Sequence, residues 1–418
     1  MQNHKRLLIK VFRQALSPSF YVLLVSNLLH SQGSYSIDFS NREPSNPIRH
    51  IAIGFLHTPD SRLPSKHSLE ALEPKLFRNH PDRAFSNYER IKQMGGVNEA
   101  VLSDAWGYRS FPFATKWEAL VSHYVTEAKD KRIDIHWDIW NEPDLSYFWK
   151  GSQAEFKETW KNTYSLIRSI DPDAYIVGPS FSRYDFNALK DFILFCKTHN
   201  TLPNGLSWHE NDYKSAGHLL AHSLEIRKFI DDHNIDIPDL EINEYSPAPL
   251  TFNKAALLAQ FSLFERSPVS RAARACWEEH SQNGCEPKAL NNLLTPSGKP
   301  RTIWYAYKYY SEMQGNLIDT PESHDLFALA SGENNESYAL IAIARSVDLI
   351  EISMTNIERF GQLELIHCKN KSQSAAFEIQ LLSKRISSDT FRYQIKGARE
   401  GDLYYFKFSA NSRPRAVR

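Results

Sequence analysis

The sequence predicts an α/β fold, a (β/α)8 TIM barrel followed by a C-terminal antiparallel β-sandwich. Three observations carry this. Between about residues 50 and 314, short apolar strands alternate with amphipathic helical stretches, and the alternation repeats eight times. Two of those strands share one form, an apolar run ending in a carboxylate and a proline break, and their carboxylates, Glu142 and Glu244, are 102 residues apart. A barrel of about 250 residues uses about 31 per unit, so that spacing is about three units plus loops. From about residue 320 the pattern changes to short alternating runs divided by polar turns, which suits a sandwich.

Taken in order, His50–His57 reads as strand 1, Lys75–Arg78 as strand 2 and Glu99–Asp104 as strand 3. Helical periodicity covers 86–95, ending at Gly95-Gly96, and 115–130, where Trp117, Leu120, Val121, Tyr124 and Val125 share a face. Strand 4 runs to Glu142, with a helix over 152–169. Strands 5 and 6 are Tyr175–Pro179 and Gly205–His209, with helices over 185–199 and 216–232. Strand 7 carries Glu244 and precedes a helix over 253–265. Strand 8 is Ser270–Trp277, closed by a helix over 302–314. The runs at 326–330, 338–344, 349–353 and 404–408 form the sandwich, and residues 34–48 can add a strand to it. The expected domains are a barrel over 34–318 and a sandwich over 319–409, with a basic tail over 410–418.

Residues 1–33 read as a signal peptide. Lys5, Arg6, Lys10 and Arg13 precede a short apolar run from Phe20 to Leu29, and Ser31-Gln32-Gly33 supplies small residues for cleavage. That predicts a secreted or periplasmic protein. The run is too short to anchor in a bilayer. With 49 basic and 49 acidic residues the net charge is zero, so no general attraction to nucleic acid or an anionic membrane is expected. Aromatic residues reach 12%, including nine Trp and 19 Tyr, which suits either a large core or sugar stacking. Cys196, Cys276, Cys285 and Cys368 show no Cys-x-x-Cys spacing, so neither zinc nor a redox motif is indicated. Cys276 and Cys285 can pair across a short loop, but unpaired thiols are the expectation.

The chemistry centres on Trp137–Asp144. Ile133, Ile135, Trp137 and Ile139 are apolar at period two, with His136 and Trp140 on the other face, as in a strand buried on both sides. Pro143 ends it and is expected to push Glu142 toward extended geometry. Burial among Trp137, Trp140 and Phe148 raises the pKa of Glu142, as a general acid requires. Glu244 lies beside Asn243, Tyr245 and Ser246, which can hydrogen-bond an anion and keep it ionised.

Trp140-Asn141-Glu142-Pro143, followed by Glu244-Tyr245-Ser246, resembles the acid/base and nucleophile signatures of the clan A retaining glycoside hydrolases. The closer resemblance is to glycoside hydrolase family 39, which includes β-xylosidases and α-L-iduronidases. Asn141–Trp149 fits that family, as does Leu294-Thr295 with Gly298-Lys299-Pro300 before Trp304–Tyr307. The resemblance spans about residues 49–315. It implies Glu142 as acid/base, Glu244 as nucleophile and Asn141 as a donor to the sugar 2-hydroxyl. A His-x-Tyr in the family places a tyrosine on the nucleophile. Here the chain has His209-Glu210-Asn211, so that tyrosine is missing, and Tyr213 or Tyr245 is the expected substitute.

His57, Arg78, Asp104 and His209 end barrel strands at the same mouth and are candidate substrate contacts. Trp277 is a candidate stacking platform, with Glu278 beside it to read hydroxyls. His209, Glu210 and Asp212 do not make a convincing metal set, and no metal or cofactor is expected. The carbohydrate reading competes with two others: a non-catalytic carbohydrate-binding barrel, which both glutamates argue against, and a metal-dependent hydrolase barrel, which lacks ligands at the strand ends.

Overall fold

A computed structural model describes residues 32–107, 114–212, 217–276, 284–357, 360–369 and 378–410. Tyr213, Trp277, Glu278, nearly all of the expected signal segment and the basic tail lie outside the described residues. The chain divides into two compact units. One comprises Ile51–Thr251 and Ser267–Asn292. The other comprises the chain up to His50, Phe252–Arg266 and the chain from Leu293.

Strands β1 (Gln32–Asp38) and β2 (Arg42–Pro47) belong to the second unit. The first unit holds a closed parallel barrel. Its strands are β3 (Gly54–Leu56), β4 (Leu76–Asn79), β5 (Val97–Val101), β6 (His136–Asp138), β7 (Tyr175–Phe181), β8 (Gly205–Glu210), β9 (Asp239–Tyr245) and β10 (Arg271–Arg274). The barrel closes where Arg274 pairs with Phe55. The expected strand order and helix positions agree with this within a few residues. The main difference is that β5 stops at Val101 and Leu102–Trp106 turns helical, with Gly107 at φ 78° as its left-handed cap.

Helix Gln153–Ile170 follows the loop after β6. It starts with a capping box: Ser152 Oγ accepts from the Glu155 N–H at 3.2 Å, and a Glu155 carboxylate oxygen accepts from the Ser152 N–H at 2.7 Å. Buried Trp160 on that helix lies against Gly178, where an added Cβ would come within 2.3 Å of the indole. Only glycine lets β7 approach so closely.

The second unit is a sandwich built of two sheets. The larger has the order β16-β15-β18-β13-β12-β11-β2 and the smaller β1-β14-β17. Their ranges are β11 (Asn316–Ile318), β12 (Leu326–Gly332), β13 (Glu336–Ile343), β14 (Val347–Thr355), β15 (Gln362–Cys368), β16 (Glu378–Arg385), β17 (Thr390–Ala398) and β18 (Leu403–Ser409). Pairing is antiparallel except between β1 and β14, which run parallel. Alternation along β14 buries Ile350, Ile352 and Met354 with Ile341, Leu365 and Phe406 in one core. Residues 34–48 thus supply two strands, one to each sheet. The helices Lys254–Arg266 and Thr302–Glu312 group with this unit, where Phe261 stacks on Tyr310 at 4.1 Å.

Cys276 and Cys285 form a disulfide with Cα atoms 4.9 Å apart, which corrects the expectation of unpaired thiols. Sequence spacing could not decide whether these two thiols meet. Cys196 and Cys368 are buried thiols. Among the described residues no helix is long and apolar enough to cross a membrane.

Candidate active site

The carboxyl ends of β4, β6, β8 and β9 bring Arg78, Glu142, His209 and Glu244 together. Glu142 stands four residues beyond β6. Its φ is +47°, left-handed rather than extended, and its N–H donates to the Ser180 carbonyl at 2.9 Å. Proline disfavours the right-handed helical region for the preceding residue, and the cross-strand bond selects the left-handed region over the extended one. A non-glycine residue so placed stores roughly 1 kcal/mol, which the surrounding hydrogen bonds offset.

Trp137 packs toward Phe85, and Trp140 toward Trp117 and Trp149. The inward residue of β6 is Asp138. Burial, reinforced by the nearby Asp144 charge and opposed by Arg78, raises the Glu142 pKa to about 7. His209 Nδ1 lies 2.9 Å from Glu142 Oε1 and 3.8 Å from Glu244 Oε2. Burial lowers the His209 pKa to about 4, so the imidazole is neutral near pH 7.

A bulge explains how β9 presents Glu244. Ser207 pairs with Glu241 and His209 with Glu244, so β9 carries one extra residue there. Glu241 and Asn243 face the barrel interior by period two, and the extra residue lets Glu244 face the mouth as well. Tyr245 is turned away as a result. It is fully buried and its hydroxyl donates to the Ala52 carbonyl at 2.6 Å. Tyr245 therefore does not take the place of the missing tyrosine. Asn211 does, with Nδ2 donating to Glu244 Oε2 at 3.0 Å.

Arg78 is the hub. Its Nη1 donates to Glu244 Oε1 at 2.9 Å and its Nη2 to Asn141 Oδ1 at 2.8 Å. It also pairs with Asp138 at 2.6 Å and Glu99 at 3.1 Å. Burial works against the guanidinium charge, but Asp138, Glu244 and Glu99 outweigh it and hold the pKa above its ordinary value. Below the mouth, Asn243 Nδ2 reaches Ser180 Oγ at 2.9 Å and both Glu99 and Asp138 at 3.2 Å. Burial and the neighbouring Glu241 charge raise the Glu99 pKa, and burial raises that of Glu241.

Asn141 is buried, with its N–H on Ser103 Oγ at 3.0 Å. Burial raises the Asp104 pKa to about 7, against the Arg78 charge. His57 keeps its N–H on the Arg78 carbonyl at 2.9 Å, and its ring pKa is lowered to about 4 by burial and by Arg78. Glu210 faces away, accepting from Trp208 Nε1 and interacting with His222 Nδ1, each at 2.8 Å. Glu99, Asp138, Ser180, Asn211, Glu241 and Asn243 were missed as site residues. The available signal was charge at inward positions of strands otherwise apolar.

One ligand-type atom each from Glu142, His209 and Glu244 lies within 4.8 Å of the others, compact enough for a cation. The Arg78 guanidinium already occupies one oxygen of Glu244 and the Asn211 amide the other. A cation there would face that guanidinium, so the donor set favours a proton-carrying pair over an ion.

Residues 112–244 match the model of glycosyl hydrolases family 39. A 3-O-beta-L-arabinopyranosyl-alpha-L-arabinofuranosidase from Bifidobacterium pseudocatenulatum is 25% identical over 198 residues, covering 42% of this chain and 20% of that protein. A beta-xylosidase from Geobacillus stearothermophilus is 29% identical over 87 residues, covering 19% of this chain and 17% of that protein. The chain thus spans a fifth or less of the length of these curated relatives. In fold it is similar to N2152 from Neocallimastix frontalis, at TM-score 0.76 and 21% identity, covering 91% of this chain and 100% of that one. It is also similar to a glucosidase from Croceicoccus marinus, at TM-score 0.67 and 12% identity, covering 92% and 100%.

Proposed function

We propose, from the premise that the chain is similar to family 39 and clan A glycoside hydrolases, that it is a retaining glycosidase hydrolysing O-glycosidic bonds of oligo- or polysaccharides. The observation that carries this reading is the separation of the two glutamates. An oxygen of Glu142 lies within 4.8 Å of an oxygen of Glu244. Retaining enzymes hold their carboxyl groups about 5–5.5 Å apart, and inverting enzymes about 6.5–9.5 Å, to admit a water.

In this reading Glu244 attacks the anomeric carbon while Glu142 protonates the leaving oxygen. The covalent glycosyl-enzyme forms as the leaving group departs with that proton. Water then attacks, Glu142 takes its proton, and Glu244 is released. The Arg78 and Asn211 donors, one on each oxygen, keep Glu244 oriented. His209, donating Nδ1–H to Glu142 Oε1, leaves the other oxygen to carry the catalytic proton. Asn141, held by Arg78 and Ser103, offers its amide N–H to the sugar. Incubation with a 2-deoxy-2-fluoro aryl glycoside should add one sugar mass at Glu244, located by peptide mass spectrometry. A panel of such sugars that labels nothing, together with no turnover of any aryl glycoside, would leave the carbohydrate-binding reading.

We also infer action outside the cytoplasm. The basic and apolar start of the chain supports this, and the Cys276–Cys285 disulfide suits an oxidising compartment. Retention of the full-length protein in the cytoplasmic fraction of its own cells would oppose it.

A further inference from the structure

We propose that Asn211 both positions the nucleophile Glu244 and reads one hydroxyl of the sugar bound beside it. The inference rests on the glycosidase reading and adds a specificity determinant to it. Glu244 receives one donor on each oxygen, Arg78 Nη1 at 2.9 Å and Asn211 Nδ2 at 3.0 Å. A carboxylate only accepts, so the Asn211 atom facing it is the nitrogen and the orientation of the amide follows. That orientation commits Asn211 Oδ1, which is buried and has no hydrogen-bond partner among the described residues. A buried acceptor left unpaired is unfavourable, and a hydroxyl of a bound sugar is the donor this pocket would receive. The backbone bearing Asn211 is fixed at its exit from β8, because the preceding residue, Glu210, is held by Trp208 and His222.

The chemistry differs from that of the tyrosine in the His-x-Tyr pattern. A phenol has one O–H, which is spent once it donates to the nucleophile. An amide separates its donor from its acceptor, so Asn211 can hold Glu244 and still select for a hydroxyl. The substrate class is therefore a glycoside whose cleaved sugar keeps a free hydroxyl beside the nucleophile.

The test compares kcat/KM for an aryl glycoside and its monodeoxy analogues in the wild type, Asn211→Ala and Asn211→Tyr. In the wild type, removing one particular hydroxyl should cost tenfold or more, the size of one hydrogen bond to a buried polar group. In Asn211→Ala that cost should fall below about twofold, with the costs at other positions unchanged. Asn211→Tyr should recover the glycosylation rate lost in Asn211→Ala, but not the hydroxyl discrimination. Equal losses for all analogues, with their ratios as in the wild type, would overturn the proposal. If Asn211→Ala does not fold by circular dichroism, Asn211→Ser supplies the same ratios. A wild type labelled by the fluoro sugar but showing no such ratio change defeats this inference alone. A wild type neither labelled nor active defeats the glycosidase reading and this inference with it.

Discussion

His209 and Glu142 share a 2.9 Å contact, and the same imidazole nitrogen lies 3.8 Å from Glu244. One neutral, buried ring thus stands between two carboxyl groups in opposite settings. Glu142 is raised by burial, while Glu244 takes donors from Arg78 and Asn211.

That contrast predicts different failures for the two glutamates. Glu142→Gln should lose about 10²–10⁴-fold for glycosides with poor leaving groups. It should still form the glycosyl-enzyme from activated aryl glycosides, then stall for want of a base. Azide should restore turnover with a product of retained configuration. In Glu244→Gly, azide should enter from the opposite face and give inversion. Proton NMR of the glycosyl azides decides, and the reverse stereochemistry would exchange the two roles.

The pH profile should carry the mark of Glu142. Its pKa is raised to about 7, so the acid form is present below that pH and lost as pH rises through it. The alkaline limb of kcat/KM should fall near pH 7. Asp144→Asn removes the nearby charge that adds to burial in raising this pKa. Its oxygen can still accept from Ser182, now bonded at 2.8 Å. The alkaline limb should then move to lower pH, and no movement would assign the limb to another group.

Arg78→Met should destabilise the barrel by about 3–5 kcal/mol at neutral pH, the scale for leaving buried charges uncompensated. Asp138, Glu99 and Glu244 would lose their shared cation. Without it the folded pKa values of Glu99 and Asp138, already raised by burial, rise further above the unfolded ones, so stability returns as pH falls and they protonate. Urea unfolding at pH 8 and pH 5 should show the larger deficit at pH 8. An equal deficit at both would place the damage in packing rather than charge.

Counting thiols in urea without reductant should find two per chain, from Cys196 and Cys368. Reduction should raise the count to four. A count of four before reduction would remove the Cys276–Cys285 pair.

Local pattern alone determined a good deal of this protein. The barrel strands and most helices were legible because burial on both faces selects continuous apolar runs, and amphipathic helices show a 3.6-residue period. Glu142 and Glu244 stood out because strand ends of one form recur three units apart. Arg78 was legible as a charge where a strand ends at the mouth. Tertiary structure alone decided how these residues are used. A strand of alternating Leu240, Glu241, Ile242 and Asn243 does not reveal that Glu241 and Asn243 meet Glu99 and Asp138 across the barrel axis. Period two places Glu244 on one face and Tyr245 on the other, and a single extra residue in β9 reverses that assignment. The substitute for the missing tyrosine was therefore Asn211 rather than Tyr245, and the Cys276–Cys285 disulfide was likewise decided by tertiary structure. Pairing, register and the sharing of one guanidinium among carboxylates are relations between strands far apart in sequence, set by barrel closure and not by any local run of residues.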